Sequence, residues 1–309
     1  MSRPPFPSGW SSIPLSLKNL TLVNTLPVGQ SFLWHRHAEE FSRAVDDPPR
    51  VVCLRQLQDR LYYAAIHLTN DAARLDKEGG LTHRWIQEYF QLDKYPDLET
   101  MYADWRLRDP ELFGKVEVNE RAVGVRVVRQ DPWECLIAIT SLLHRFSHAF
   151  APPVMTLDNP DDTGFTTYHL FPSPSSLPVK LETLLREMGF GYRAAFIEST
   201  LQALREEFKD DVEGGLESWR GMDVNTVREK LVALKGVGRK VADCVMLMCM
   251  DKAFLLEKWG PMGGWCQAVM FAADLPMKAK VTKIAVKNLK RTRSGTRIEL
   301  RETIKVEEK

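Results

Sequence analysis

The chain has 309 residues, 44% hydrophobic and 27% charged, the balance of an ordinary soluble globular protein of one or two domains. No apolar run approaches the length of a bilayer span, and MSRPPFPSGWSSIP lacks the apolar core of a signal peptide, so no membrane partner is expected. Five cysteines at 53, 135, 244, 249 and 266 make no C-x-x-C pair, so neither a zinc site nor a disulfide framework is signalled and a reducing compartment is the simplest home.

In chain order, the first third is mixed and strand-rich. NLTLVNTL (19–26), RVVCLRQL (50–57) and RLYYAAIHL (60–68) read as strands, the last two separated by a polar turn at Gln58–Asp59. THRWIQEYFQL places Trp85, Tyr89 and Leu92 on one helical face, and LETMYADW does the same with Met101, Tyr102 and Trp105. VGVRVV (123–128) reads as a last strand. At RQDPWECLIAI the pattern changes: Asp131 suits a cap, Pro132 the first helical position, and Glu134 a capping box. From there helices with short connections are predicted. LETLLREM stops at Gly189, and AAFIESTLQALREEF carries Ile197, Leu201, Leu204 and Phe208 in register. DVNTVREKLVAL follows with Asp223 as its cap, while PSPSSLP (172–178) is a loop. His144 and His148 stand four apart, but with no HExxH and no third ligand in sight no metal site is expected. No cofactor motif appears. Net charge is +1, yet from Lys278 onward eleven Lys and Arg face four Glu. That end reads either as nucleic-acid contact or nuclear targeting, or as a solvated disordered tail.

The stretch LKGVGRKVADCVMLMCMDK (234–252) joins two helices through a glycine turn. Gly236 and Gly238 permit positive φ and close approach of a partner, and the unpaired amides opening the next helix form an anion site. A helix–hairpin–helix of this kind grips a nucleic-acid backbone without reading sequence; a plain αα-turn is the alternative. Lys240 falls in the first turn of a helix that reads as apolar almost all round. Burial and the helix dipole would both disfavour its ammonium form and make it an amine nucleophile. The competing reading is a surface lysine stretched past an apolar neighbour.

These residues resemble the helix–hairpin–helix of eukaryotic 8-oxoguanine DNA glycosylase. The likeness continues in GWSSIPL, LPVGQSFLW, YFQLD, VVRQDPWECL, MGFGYRA and WGPMGGWCQAVMFAADL, in the family's order. The hairpin's usual proline is Lys235 here. The resemblance implies an α+β fold: an N-terminal antiparallel β-rich domain over 1–128, a helical domain over 129–275 with its hairpin at 234–240, and a basic, disordered tail over 276–309. It implies base excision of oxidised guanine from double-stranded DNA, with abasic-site lyase activity, no cofactor and a monomeric chain. Lys240 would attack the sugar, and Gly29 would accept the hydrogen that only the oxidised base carries. Cys244 and Phe271 would sandwich the flipped base and Gln267 would read its edge. Gln267 and Phe271 are four apart, so one helix face can present both. Tyr192 and Arg193 would wedge the duplex, with Gly236, Gly238 and Val241 against phosphate. The cluster Lys287–Arg293 is consistent with the nucleus, and a mitochondrial form stays open.

Two family blocks are absent. The Val-Asp-Val-His motif, whose aspartate the family needs for catalysis, occurs nowhere, and Asp251–Lys252 runs straight into AFLLEKWGPMGGW. Asp251 would lie roughly 15 Å along the helix from Lys240 and is no simple substitute. The asparagine-rich run expected after CLIAIT is replaced at once by SLLHRFSHAF. Both gaps have the form of clean excisions, as from omitted exons, and strain is expected around 140–150 and 252–260. An inactive relative that only binds DNA is therefore the alternative function.

Overall fold

The computed structural model describes residues 2–27, 31–57, 59–95, 97–137, 142–209, 211–250, 259–260 and 263–274. Its front is one antiparallel sheet of β1 (Ser11–Pro14), β2 (His35–His37), β3 (Glu40–Val45), β4 (Arg50–Leu57) and β5 (Arg60–His67), ordered β1-β5-β4-β3-β2. RVVCLRQL is apolar on consecutive residues because both faces of the sheet are covered. Val52 and Leu54 of β4 pack with Leu20, Leu22 and Leu26 and with Ile86 and Phe90. Val51 and Cys53 face the other way, against Val154, Leu157 and Tyr168.

Those last three residues belong to a second hairpin, β6 (Pro153–Asp158) and β7 (Phe165–His169). Only helices and short connections are predicted after residue 131, so this hairpin corrects that expectation. Its strands are short, and only the sheet they cover makes their apolar residues a core.

Two further strand expectations are overturned together. Residues 19–26 contain a single helical turn, α1 (Leu22–Thr25), and residues 123–128 join no ladder. Instead the two segments satisfy each other. The Thr21 amide and the Thr25 hydroxyl both donate to the Gly124 carbonyl, at 2.8 and 3.1 Å, and the Arg126 amide donates to Thr25 Oγ1 at 3.2 Å. Gly124 has φ 66°, and a Cβ there would lie 2.2 Å from the Leu17 carbonyl oxygen, so the crossing needs glycine. Arg126 is buried and spends its guanidinium on the carbonyls of Asn19, Phe90 and Gln91.

The helices follow their sequence signals more closely. After α2 (Asn70–Gly79) come α3 (Leu81–Tyr89) and α4 (Leu98–Arg108), which bury Ile86 and Tyr89, and Tyr102 and Trp105. At α5 (Pro132–Ile137) Asp131 accepts from the Glu134 amide at 2.8 Å. Glu134 does not return the capping-box bond with its side chain; it pairs with Arg43 of β3 at 3.0 Å and ties α5 to the sheet. The chain continues through α6 (Leu143–Phe150), α7 (Glu182–Glu187), α8 (Arg193–Phe208) and α9 (Val212–Ser218). It then forms α10 (Val224–Ala233), α11 (Arg239–Cys249) and α12 (Gly263–Asp274). One core joins α5 to α11, with Trp133, Leu185, Leu201, Trp219, Leu231 and Met246 at its centre. α12 packs elsewhere, its Trp265, Val269 and Ala272 lying with Tyr102, Trp105 and Phe113. Hydrophobic clusters thus cross residue 128 in both directions, and Met1–Ala273 forms one unit. Among the described residues no helix is long and apolar enough to cross a membrane. The segments expected to be strained are described only over 142–150 and 259–260, and the basic tail lies outside the described residues.

Candidate functional site

The hairpin begins where α10 ends. Asp223 opens α10 by accepting from the Asn225 and Thr226 amides, and Leu234 leaves it in an extended conformation. Leu234 and Val237 are buried and pin the turn to the core, and the Val237 amide closes it on the Leu234 carbonyl at 3.0 Å. Lys235, Gly236 and Gly238 remain exposed. Gly236 has φ 87° and lies over the Phe196 ring. Gly238 opens α11 without any side-chain cap, and the first helical bond runs from the Ala242 amide to the Gly238 carbonyl. The amides of residues 239–241 therefore face outward without helical partners, the arrangement that binds an anion.

Four of the residues assigned from sequence meet around one recess of about 230 Å³: Tyr192, Arg193, Gly236 and Val241 line it with Phe196 and Lys235. Tyr192 is 65% exposed. Its ring meets Phe196 edge-on at 5.8 Å, and the Arg193 guanidinium lies 5.4 Å from its centre. Arg239 and Lys240 are exposed beside the recess. None of Arg193, Lys235, Arg239 and Lys240 forms an ion pair among the described residues, so four cations surround the amide cluster. Phe196 and Thr200 were not legible as hairpin supports. The Thr200 hydroxyl donates to the Lys235 carbonyl at 3.4 Å, a contact between α8 and the turn that no local pattern announces.

Lys240 departs from expectation in one respect. It is exposed, because α11 buries only the stripe Ala242, Val245, Met246 and Cys249 and is not apolar all round. It therefore stands in solvent in this state, at the N-terminal end of α11. Cys244, one turn further on, is half-buried. Burial pushes its thiol upward, with the nearby Cys135 adding to this and the Lys240 ammonium opposing it.

Gln267 is exposed on α12, opposite the buried Trp265, Cys266 and Val269. Phe271 lies on the same helix, with its side chain outside the described residues, as is Gly29 altogether.

Residues 12–136 match the model of the 8-oxoguanine DNA glycosylase N-terminal domain. An N-glycosylase/DNA lyase of Arabidopsis thaliana is 28% identical over 86% of this chain and 80% of its own length. The Saccharomyces cerevisiae N-glycosylase/DNA lyase is likewise 28% identical, over 86% of both chains. The Clostridium acetobutylicum 8-oxoguanine glycosylase/lyase, solved with double-stranded DNA containing cytosine opposite 8-oxoG, shares the fold. Its TM-score is 0.60 at 22% identity, over 82% of this chain and 91% of that one. The chain thus carries the 8-oxoguanine DNA glycosylase N-terminal domain over residues 12–136 and aligns with N-glycosylase/DNA lyases along most of its length.

Proposed function

We propose that this chain excises 8-oxoguanine from duplex DNA in base excision repair and cleaves the resulting abasic site, with Lys240 as nucleophile. The observation that carries the assignment of Lys240 is its place: second residue of α11, reachable from solvent, beside outward amides and three further unpaired cations. Phosphodiester oxygens suit those amides and cations. A duplex held there presents deoxyribose to the amine, which reacts in its uncharged form.

The uncharged amine bonds to C1′ as the glycosidic bond breaks, and the base departs with that electron pair and takes up a proton. Loss of the amine proton and ring opening give an imine. Removal of a C2′ proton then expels the 3′ phosphate oxygen with the C3′–O electron pair, which is the lyase step. Tyr192 and Arg193 are assigned to the duplex beside the extracted nucleotide, and Gly29, Cys244, Gln267 and Phe271 to the base itself. Extraction of the base costs stacking energy that such a wedge offsets. We further assign the chain to the nucleus, on its basic end, and expect it to act as a monomer.

The missing Val-Asp-Val-His segment favours a second reading, a DNA-binding relative without excision. Borohydride trapping separates the two. The expected result is a covalent adduct with an abasic duplex and with an 8-oxoguanine:cytosine duplex, both lost in Lys240→Gln. Normal binding of both duplexes with no adduct on either would establish the second reading. An adduct on the abasic duplex alone would place the defect in base removal.

A further inference from the structure

A cavity of about 730 Å³ lies away from the hairpin. Five of the chain's seven histidines line it: His35 and His37 from β2, His144 and His148 from α6, and His169 from β7. They form two ring pairs. His35 meets His144 at 4.2 Å between ring centres, and His148 meets His169 at 4.9 Å. The i,i+4 pair seen in the sequence is therefore not the spatial pair. The β6–β7 hairpin supplies the partner that periodicity lacks.

His169 is held in one tautomer. Its Nδ1 lies 2.8 Å from the Ala151 carbonyl, which only accepts, so Nδ1 carries the proton and Nε2 keeps a lone pair. That Nε2 is buried without a hydrogen-bond partner. The hydroxyl of Ser147, a residue 2% exposed that lines the same cavity, is also buried and unpartnered. Buried polar atoms without partners are uncommon and call for a ligand or water.

The tautomer decides the sign of that ligand. A neutral imidazole offering Nε2 repels the oxygens of an anion and attracts a proton donor or a metal ion. An imidazole whose other nitrogen donates to a backbone carbonyl is also the usual preparation of a metal-binding histidine. Two imidazoles on one tetrahedral ion hold their ring centres about 5 Å apart, close to the observed 4.9 Å. His37 is already engaged, within 3.1 Å of Thr166 Oγ1 and 3.5 Å of Asp161.

We infer that His148 and His169 form a two-imidazole site for a borderline transition-metal ion such as Zn²⁺, Co²⁺ or Ni²⁺, tying α6 to β7. Imidazole nitrogen suits these ions. Among the described residues no group of three or more His, Cys, Asp and Glu side chains is arranged for a metal. Solvent is left the remaining positions, and binding is micromolar rather than structural. Arg145 also lines the cavity and its charge keeps the affinity modest. The site is independent of the proposed DNA chemistry.

The test is titration of the full chain with Zn²⁺ by calorimetry and with Co²⁺ by visible absorption, beside His148→Gln, His169→Gln and His144→Gln. One ion is expected to bind in the micromolar range. Its affinity should fall tenfold or more in each of the first two variants and stay unchanged in the third. The melting temperature should rise with added Zn²⁺ in the wild type and in His144→Gln, but not in the other two variants. If His169→Gln does not fold, nitrogen NMR of the wild-type histidines replaces it, with a Zn²⁺-induced shift expected at His169 Nε2. Absence of micromolar binding, equal loss in His144→Gln, or an unmoved His169 Nε2 would overturn the site, and water would then be what fills the cavity.

Discussion

The Phe196 ring lies directly beneath Gly236: a Cβ built on that glycine would fall 2.4 Å from Phe196 Cδ2. Because φ is also 87° there, the turn excludes a side chain on steric and conformational grounds at once. Gly236→Ala is expected to cost about 3 kcal/mol in urea unfolding. It should weaken DNA binding more than Gly238→Ala, where an added Cβ meets open space. Combining it with Phe196→Leu should cost less than the sum of the two single changes, since the pair share one contact.

Lys235 and Arg193 face the recess from the hairpin and from α8. Each is expected to neutralise one phosphate. Lys235→Ala and Arg193→Ala should each reduce the slope of log K against log salt by about 0.9. Arg74→Ala, on α2 and paired with its neighbour Asp71, should leave the slope alone.

Burial lowers the pKa of His35 to about 4, with His144 and His37 adding to this, and burial lowers that of His144 as well. Both rings are therefore uncharged when folded and take up protons more readily when unfolded. Their stabilising contribution is complete above the ordinary histidine range and is lost as pH falls from about 6.5 toward 4. For His35 the loss is about 2 kcal/mol once its partial exposure is discounted. Urea midpoints at pH 7 and pH 4.5 should show a smaller fall in His35→Gln than in the wild type.

Asp109 joins two parts of the chain far apart in sequence. Its Oδ2 accepts from the Trp259 indole at 2.7 Å and its Oδ1 from the Leu112 amide at 3.1 Å. Asp109→Ala leaves both donors short of an acceptor and should cost about 2 kcal/mol. Asp104→Ala removes an exposed pair with Arg108 and should cost about 0.5 kcal/mol or less. Denaturant melts of the two variants make the comparison.

What a few neighbouring residues encode was legible. Asp131 and Asp223 cap where the pattern said, and the stripes Ile197, Leu201, Leu204 and Val227, Leu231 are buried as their spacing implied. The candidate residues were read from an ordered set of motifs; the structure gathers Tyr192, Arg193, Gly236 and Val241 around one recess and leaves Lys240 exposed rather than buried. Failures came where backbone groups found partners outside their own segment. Residues 19–26 and 123–128 both looked like strands because both are apolar and β-branched, yet they bond across about a hundred residues.

By itself, then, the sequence determined the hairpin, its glycines, the position of Lys240 on the next helix and the likeness to 8-oxoguanine DNA glycosylases. These depend on spacing, which a linear chain already contains. Only the tertiary structure decided that Lys240 is exposed, that Glu134 serves Arg43, and that His148 meets His169. Each of those outcomes is set by which surfaces come to lie against one another. Burial and electrostatic environment are properties of that packing, and no local pattern carries them.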